Sequence, residues 1–164
     1  MAKRTQDTRA NIYSFTDETL LVCPRCAGCA LSRQLDPAAP SGFFAPRRLV
    51  CAQCGHLAEW HQSSIRRGWE NARDDFFELP LWLQIPCCGE VLWAYNARHL
   101  EFLETYVQAS LRERVRSPDR GWSNQSLASR LPAWIKSAKN REEVLQGIAR
   151  LRERLGSLSK AATP

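Results

Sequence analysis

The sequence predicts an α+β fold with its strands first and its helices last. Three observations carry that expectation. Through residues 20–96, short apolar runs rich in branched and aromatic residues alternate with turn formers, which is the signature of strands. After Asn96 the apolar residues recur every three or four positions, the period of a helix. All seven cysteines fall at or before position 88, so the two halves differ in chemistry as well as in pattern.

In chain order, Leu20-Leu21-Val22 leads into Cys23-Pro24-Arg25-Cys26, and a second run spans Ala30-Leu31-Ser32-Arg33-Gln34-Leu35. The breakers Asp36-Pro37-Ala38-Ala39-Pro40-Ser41-Gly42 follow. Arg47-Arg48-Leu49-Val50 enters Cys51-Ala52-Gln53-Cys54-Gly55, and Leu57-Ala58-Glu59-Trp60 leaves it. Residues 62–78 are polar and predict a loop. A hairpin is expected next, with Leu79 to Ile85 as one arm, Pro86-Cys87-Cys88-Gly89 as its turn and Glu90 to Tyr95 as the other. Trp82 and Trp93 are expected opposite each other in it, as a cross-strand pair. Asn96 is a fitting N-cap for a helix carrying Leu100, Leu103, Val107 and Leu111 through about Val115. Pro132 starts or kinks a later helix, and Asn140 with Glu143 has capping-box spacing. Val144, Ile148, Leu151, Leu155 and Leu158 then form an apolar seam, expected to pack on the rest of the protein. The chain divides accordingly into an N-terminal tail (1–19), a strand-rich unit (20–96), a helical region (97–158) and a C-terminal tail (159–164).

Composition narrows the function classes. Of 164 residues, 44% are hydrophobic, enough to bury a core. No run approaches the roughly 18 apolar residues of a membrane helix. Residues 1–12 lack the apolar block of an export signal, so a cytoplasmic location, with reduced thiols, is expected. In that setting cysteines at close spacing read as metal ligands rather than disulfides.

Cys23 and Cys26, then Cys51 and Cys54, form two Cys-x-x-Cys pairs. Two intervening residues let the backbone turn so that both sulfurs of a pair reach one ion, and zinc accepts four thiolates as a tetrahedron. Gly55 suits the left-handed bend that closes such a knuckle, and Pro24 suits a position needing no amide donor. One structural zinc is therefore expected on Cys23, Cys26, Cys51 and Cys54. Cys29 allows an alternative pairing with Cys26, but the Cys23/Cys26 pair stands before its strand as the second knuckle does, and is preferred.

These knuckles resemble the zinc-ribbon class, found in transcription factor IIB, RNA polymerase subunits, ribosomal proteins and the primosomal helicase. The resemblance covers about residues 20–62 and implies the same four zinc ligands and nothing more. The stretches Leu-Trp-Leu-Gln-Ile-Pro-Cys-Cys-Gly and Ser-Leu-Ala-Ser-Arg-Leu-Pro look similar to uncharacterised bacterial ribbon-containing proteins, a likeness that implies no activity. The expected architecture is thus a zinc ribbon extended by the hydrophobic hairpin, with C-terminal helices packed on it.

Cys87 and Cys88 are neighbours, which in a strand point to opposite faces. They are expected as small buried side chains at a turn rather than as a second metal site with His56, His61 or His99. Cys54-Gly55-His56 with Asn96 and His99 has a superficial likeness to nucleases named for their His-Asn-His residues. That chemistry needs a base histidine on a strand just before a metal-binding helix, and these histidines do not stand so. No nucleophile elbow or phosphate-binding loop occurs either, so no catalysis and no small-molecule substrate are expected.

The formal charge is +6, and residues 101–164 carry twelve Lys/Arg against seven Asp/Glu. Phe43 and Phe44 stand near Arg47 and Arg48 on the loop between knuckles, and Arg66 and Arg67 precede Trp69. Rings that stack bases beside arginines that hold phosphates suit nucleic acid. A non-catalytic nucleic-acid-binding or transcription- or replication-associated protein is the leading expectation. The alternative is a protein-interaction adaptor using the aromatic hairpin or the C-terminal seam.

Overall fold

Alternation of side chains decides where each strand of the first half lies. The computed structural model describes residues 4–6, 12–36, 38, 45–61, 72–109, 111–113 and 127–161. After β1 (Arg4–Gln6) and a 3-10 turn at Ile12–Phe15 come β2 (Glu18–Val22), β3 (Cys29–Gln34), β4 (Arg47–Val50) and β5 (Leu57–Trp60). These last four form one antiparallel sheet in sequence order. Its register pairs Thr19 with Ser32, Ser32 with Leu49 and Leu49 with Ala58, which places these residues on the core face together with Leu21, Ala30, Arg47 and Trp60. The same alternation turns Leu20, Leu31, Val50 and Leu57 to the other face.

A hairpin of β6 (Leu83–Cys87) and β7 (Glu90–Ala94) follows, and α1 (Ala97–Gln108) leads on from it. Asn96 is the N-cap: its Oδ1 accepts from the His99 amide at 3.0 Å, while its Nδ2 donates to the carbonyls of Phe15 and Glu18, both at 2.7 Å. One side chain thus starts the helix and ties it to the sheet. Further ties run from the Val22 amide to Pro80, from Trp82 to Leu20 and from Leu20 to Tyr95, so the segment before the hairpin covers the β2 edge. A β8 strand (Leu111–Glu113), α2 (Leu127–Arg130), α3 (Ala133–Lys136) and α4 (Arg141–Ala161) complete the chain.

The seam is settled by packing. Val144, Ile148 and Leu151 are buried where α4 meets α1 and the hairpin, in one cluster with Leu83, Leu92, Leu100, Leu103 and Val107. Each such aliphatic side chain contributes roughly 1.5–3 kcal/mol by leaving water.

Several local expectations are corrected. The helix after Asn96 ends at Gln108 rather than near Val115, because Leu111 belongs to β8, which pairs in parallel with β1. Within the segment expected as an N-terminal tail lie the 3-10 turn at Ile12–Phe15, with Phe15 buried against His99, and the start of β2 at Glu18. Trp82 does not face Trp93; Gln84 does. Trp82 instead lies under the Arg154 guanidinium at 4.1 Å, and Trp93 meets Tyr95 and His99. Of the two roles left open for Pro132, the structure takes the first: it stands at the N-cap of α3. Glu143 does not close a capping box; its carboxylate accepts from the Cys88 amide, and Asn140 donates its side-chain N–H to Trp134 O.

Candidate metal centre

The two Cys-x-x-Cys segments fold as copies of one knuckle, each joining the ends of two neighbouring strands. In the first, the Ala27 amide returns to Cys23 O at 2.9 Å and the Cys23 amide donates to Gly28 O at 2.8 Å. In the second, Gly55 returns to Cys51 O at 2.9 Å and Cys51 donates to His56 O at 2.9 Å. The residue closing each bend has a positive φ, 58° at Ala27 and 72° at Gly55. Glycine takes that conformation freely, whereas Ala27 does so at a cost of about 1 kcal/mol.

Superposing the copies answers the pairing question. Cys23 corresponds to Cys51, Cys26 to Cys54, and Cys29 to Leu57, the first residue of the outgoing strand. Cys29 sits opposite Val22 in the ladder, and burial with the nearby Cys51 pushes its thiol up to about 11. Cys29 is a strand residue.

The four remaining sulfurs converge, all within 4.8 Å of one another. Across the knuckles, Cys23 Sγ lies 3.7 Å from Cys54 Sγ and Cys26 Sγ 3.6 Å from Cys51 Sγ. A tetrahedron with metal–sulfur bonds near 2.3 Å has edges of about 3.8 Å, so the cluster is compatible with one structural zinc. Cys23 and Cys51 are buried, Cys54 is exposed, and the Gly28 amide points at Cys26 Sγ at 3.4 Å. Burial opposes ionisation of Cys23, but the amides of Cys26 and Arg25 together with the Cys54 and Cys51 thiols outweigh it and hold this thiol down to about 7. At Cys26 the Gly28 amide favours the thiolate, yet burial and the three neighbouring sulfurs prevail and raise it to about 12. A bound cation would favour the thiolate form of each of these sulfurs.

The arginines expected at a nucleic acid separate in the structure. Arg47 is 2% exposed and points inward. Its guanidinium donates to Thr16 O at 2.6 Å, Asp17 O at 3.2 Å and Ser32 Oγ at 3.3 Å, and lies 4.4 Å from the centre of the Phe76 ring. It is therefore a core residue, and its expected phosphate contact is withdrawn. Arg48 faces solvent but is held by Glu59 through two hydrogen bonds, at 2.6 and 3.0 Å. Phe43, Phe44, Arg66 and Arg67 lie outside the described residues. Arg98 pairs with Asp17, and Arg152 with Glu104.

His99 and His61 stand in different surroundings. His99 is buried, accepts the Tyr95 amide on Nδ1 at 3.2 Å and is pushed by burial to about 3, which keeps it neutral. His61 meets Glu59 on the surface. Cys87 and Cys88, expected to diverge, have their sulfurs 3.7 Å apart beside Glu143. Sequence reading missed Glu143 in this role because it lies 55 residues from Cys88. Asp74, buried beneath Phe76 and Phe77 and near Arg47, was likewise missed. For Arg47 a signal existed, since it shares strand parity with the buried Leu49.

Among the described residues no helix is long and apolar enough to cross a membrane. The chain matches no family model, no curated protein and no solved structure.

Proposed function

We propose that the protein is a non-catalytic, zinc-ribbon binding module that docks on a partner protein through the outer face of the knuckle sheet. Zinc on Cys23, Cys26, Cys51 and Cys54 would be closed by four thiolates, with no position left for a substrate, and would hold the two hairpin ends as one rigid platform.

The observation that carries the reading is an apolar row crossing all four strands. Leu20 pairs with Leu31, Leu31 with Val50 and Val50 with Leu57, on the face opposite Leu21, Ala30 and Leu49; Leu20 at one end packs against the edge of the core, and Val50 and Leu57 at the other are exposed. Exposure rises along the row to 37% at Val50 and 57% at Leu57. A branched, rigid apolar stripe on an open sheet is a surface that other proteins bury. Beside it runs a charged row, Glu18, Arg33, Arg48 and Glu59, with acids at both ends and Arg48 already paired to Glu59. Mixed signs repel a phosphate backbone as much as they attract it, and they match the polar rim of a protein interface. Of the surfaces first expected for an adaptor, Leu83 and Leu92 of the hairpin and Val144, Ile148 and Leu151 of the seam are core, Trp82 and Trp93 are half-buried and Val91 is exposed.

The test compares wild type with a Val50→Asp, Leu57→Asp variant in capture from nuclease-treated native lysate. A protein retained by wild type and lost by the variant, with zinc content and Tm unchanged, supports the proposal. Equal retention of every protein by both overturns it. So does binding of short oligonucleotides tighter than about 100 μM at physiological salt that the variant leaves unchanged. In that outcome the net charge of +6 marks a nucleic-acid ligand, and Phe43, Phe44, Arg66 and Arg67 are the residues to change next.

A further inference from the structure

A second group of ligand-bearing side chains forms where the β6–β7 hairpin meets α4, independent of any partner on the knuckle sheet. We infer that Cys87, Cys88 and Glu143 form a three-donor metal site for a divalent ion of the zinc class, with the fourth coordination position open. Cys87 Sγ and Cys88 Sγ are 3.7 Å apart, and both lie within 4.8 Å of a Glu143 carboxylate oxygen. The sulfur separation matches the roughly 3.8 Å edge of a tetrahedral thiolate site.

Adjacent cysteines reach one ion here because Cys88 is not in a strand. It occupies the first position of a two-residue turn, with φ 55°, and Gly89 follows with φ 78°. Paired positive φ values mark the hairpin turn in which asparagine or glycine is the usual first residue. The left-handed backbone swings the second thiol to the side of the first. A residue with a Cβ bears a cost of roughly 1–2 kcal/mol there, and such strain concentrates where a side chain has a use.

The seat of α4 is a second, separate observation. Gly147 lies one turn after Glu143, directly over the hairpin. A Cβ at this position would stand 3.0 Å from Leu92 Cδ2 and 3.5 Å from Cys87 Sγ. The bare backbone lets the helix settle onto the hairpin and brings Glu143 over the turn. The Cys88 amide then donates to Glu143 Oε1 at 2.7 Å, which anchors the carboxylate beside the sulfurs. Cys87 is buried, Cys88 half-buried and Glu143 exposed, so an ion enters from the carboxylate side. Two sulfurs with one oxygen select a borderline-soft ion such as Zn2+ over Mg2+ or Ca2+, which prefer all-oxygen donors. Binding releases the thiol protons to solvent, and water or an added donor completes the tetrahedron.

The experiment titrates Co2+ alone into full-length protein whose four-cysteine cluster is already filled with zinc. Thiolate-to-cobalt charge-transfer absorption should saturate near one equivalent. Cys88→Asn keeps a residue suited to the positive φ while removing the thiol, so its Tm should not fall and its absorption band should be absent. Glu143→Gln should weaken Co2+ binding by at least about tenfold. A wild type without the band at millimolar Co2+ overturns the site. A band that persists in Cys88→Asn assigns the cobalt to the other cluster and also overturns it, and binding unchanged in Glu143→Gln removes the carboxylate from the assignment.

Discussion

Arg47 offers the sharpest test of the structure, because its neighbour Arg48 is an internal control. Removing the Arg47 side chain leaves Thr16 O, Asp17 O and Ser32 Oγ without their donor and strips the cation from Phe76. Burial pulls the guanidinium below its usual pKa, and the carboxylates of Asp74 and Asp17 oppose that shift, so the charge is compensated where it lies. Breaking a buried, compensated charge costs roughly 3–5 kcal/mol. A sum from parts agrees: the short charged hydrogen bond contributes about 1.5–3 kcal/mol and the ring contact about 1–2 kcal/mol. For a chain of this size each kcal/mol lowers Tm by about 2–4 °C, so Arg47→Ala should melt about 10 °C below wild type. Arg48→Ala removes an exposed ion pair and should change stability by less than about 1 kcal/mol. Arg47→Lys should recover only part of the loss, since one ammonium cannot span three acceptors and stack on a ring. Thermal and urea unfolding of the three variants decides the matter. An Arg47→Ala protein that melts within about 2 °C of wild type would show that this arginine faces solvent, and the phosphate-contact reading would return.

Three further outcomes are expected. Protein purified without added metal should carry about one equivalent of zinc on the four-cysteine cluster; Cys23→Ser, Cys26→Ser, Cys51→Ser and Cys54→Ser should each lose that equivalent relative to wild type, and Cys29→Ser should keep it, by metal analysis. Leu151→Asp places an unpaired charge in the α4 core and should lower stability by roughly 3–5 kcal/mol, while wild type and variant keep the same mass by light scattering; a wild-type dimer that the variant converts to a folded monomer would place the seam at an interface. Asp74 is pushed by burial from 3.8 to about 6, against the pull of the Phe77 amide and Arg47. Its charged form is therefore disfavoured in the folded state, so its contribution is fully present below about pH 4 and lost as pH rises to about 6, by up to about 3 kcal/mol. Asp74→Asn still accepts from the Phe76 and Phe77 amides and should remove that slope; parallel pH–stability curves for the two proteins would refute it.

Features written in short spacings were legible in the sequence. Two residues between cysteines set the reach of each knuckle, so Cys23, Cys26, Cys51 and Cys54 could be read as one cluster before any fold was known. The change of period at Asn96, that residue's capping role and the apolar seam of α4 are equally local, since a helix face and a cap depend on neighbours three or four positions away. Partners far along the chain were not legible. Arg47 and Arg48 are identical side chains on adjacent residues; strand alternation separates them, and which one is buried depends on Thr16, Asp17 and Phe76 arriving on one face of the sheet. Leu111 has helical spacing but joins a strand because β1 pairs with it. Cys87 and Cys88 would diverge in a regular strand, and only the turn that holds Cys88 at positive φ, with α4 seated by Gly147, gathers them beside Glu143. Spacing determines what a segment can do with itself; burial and long-range pairing, decided by the whole chain, determine which side chains remain free to do anything else.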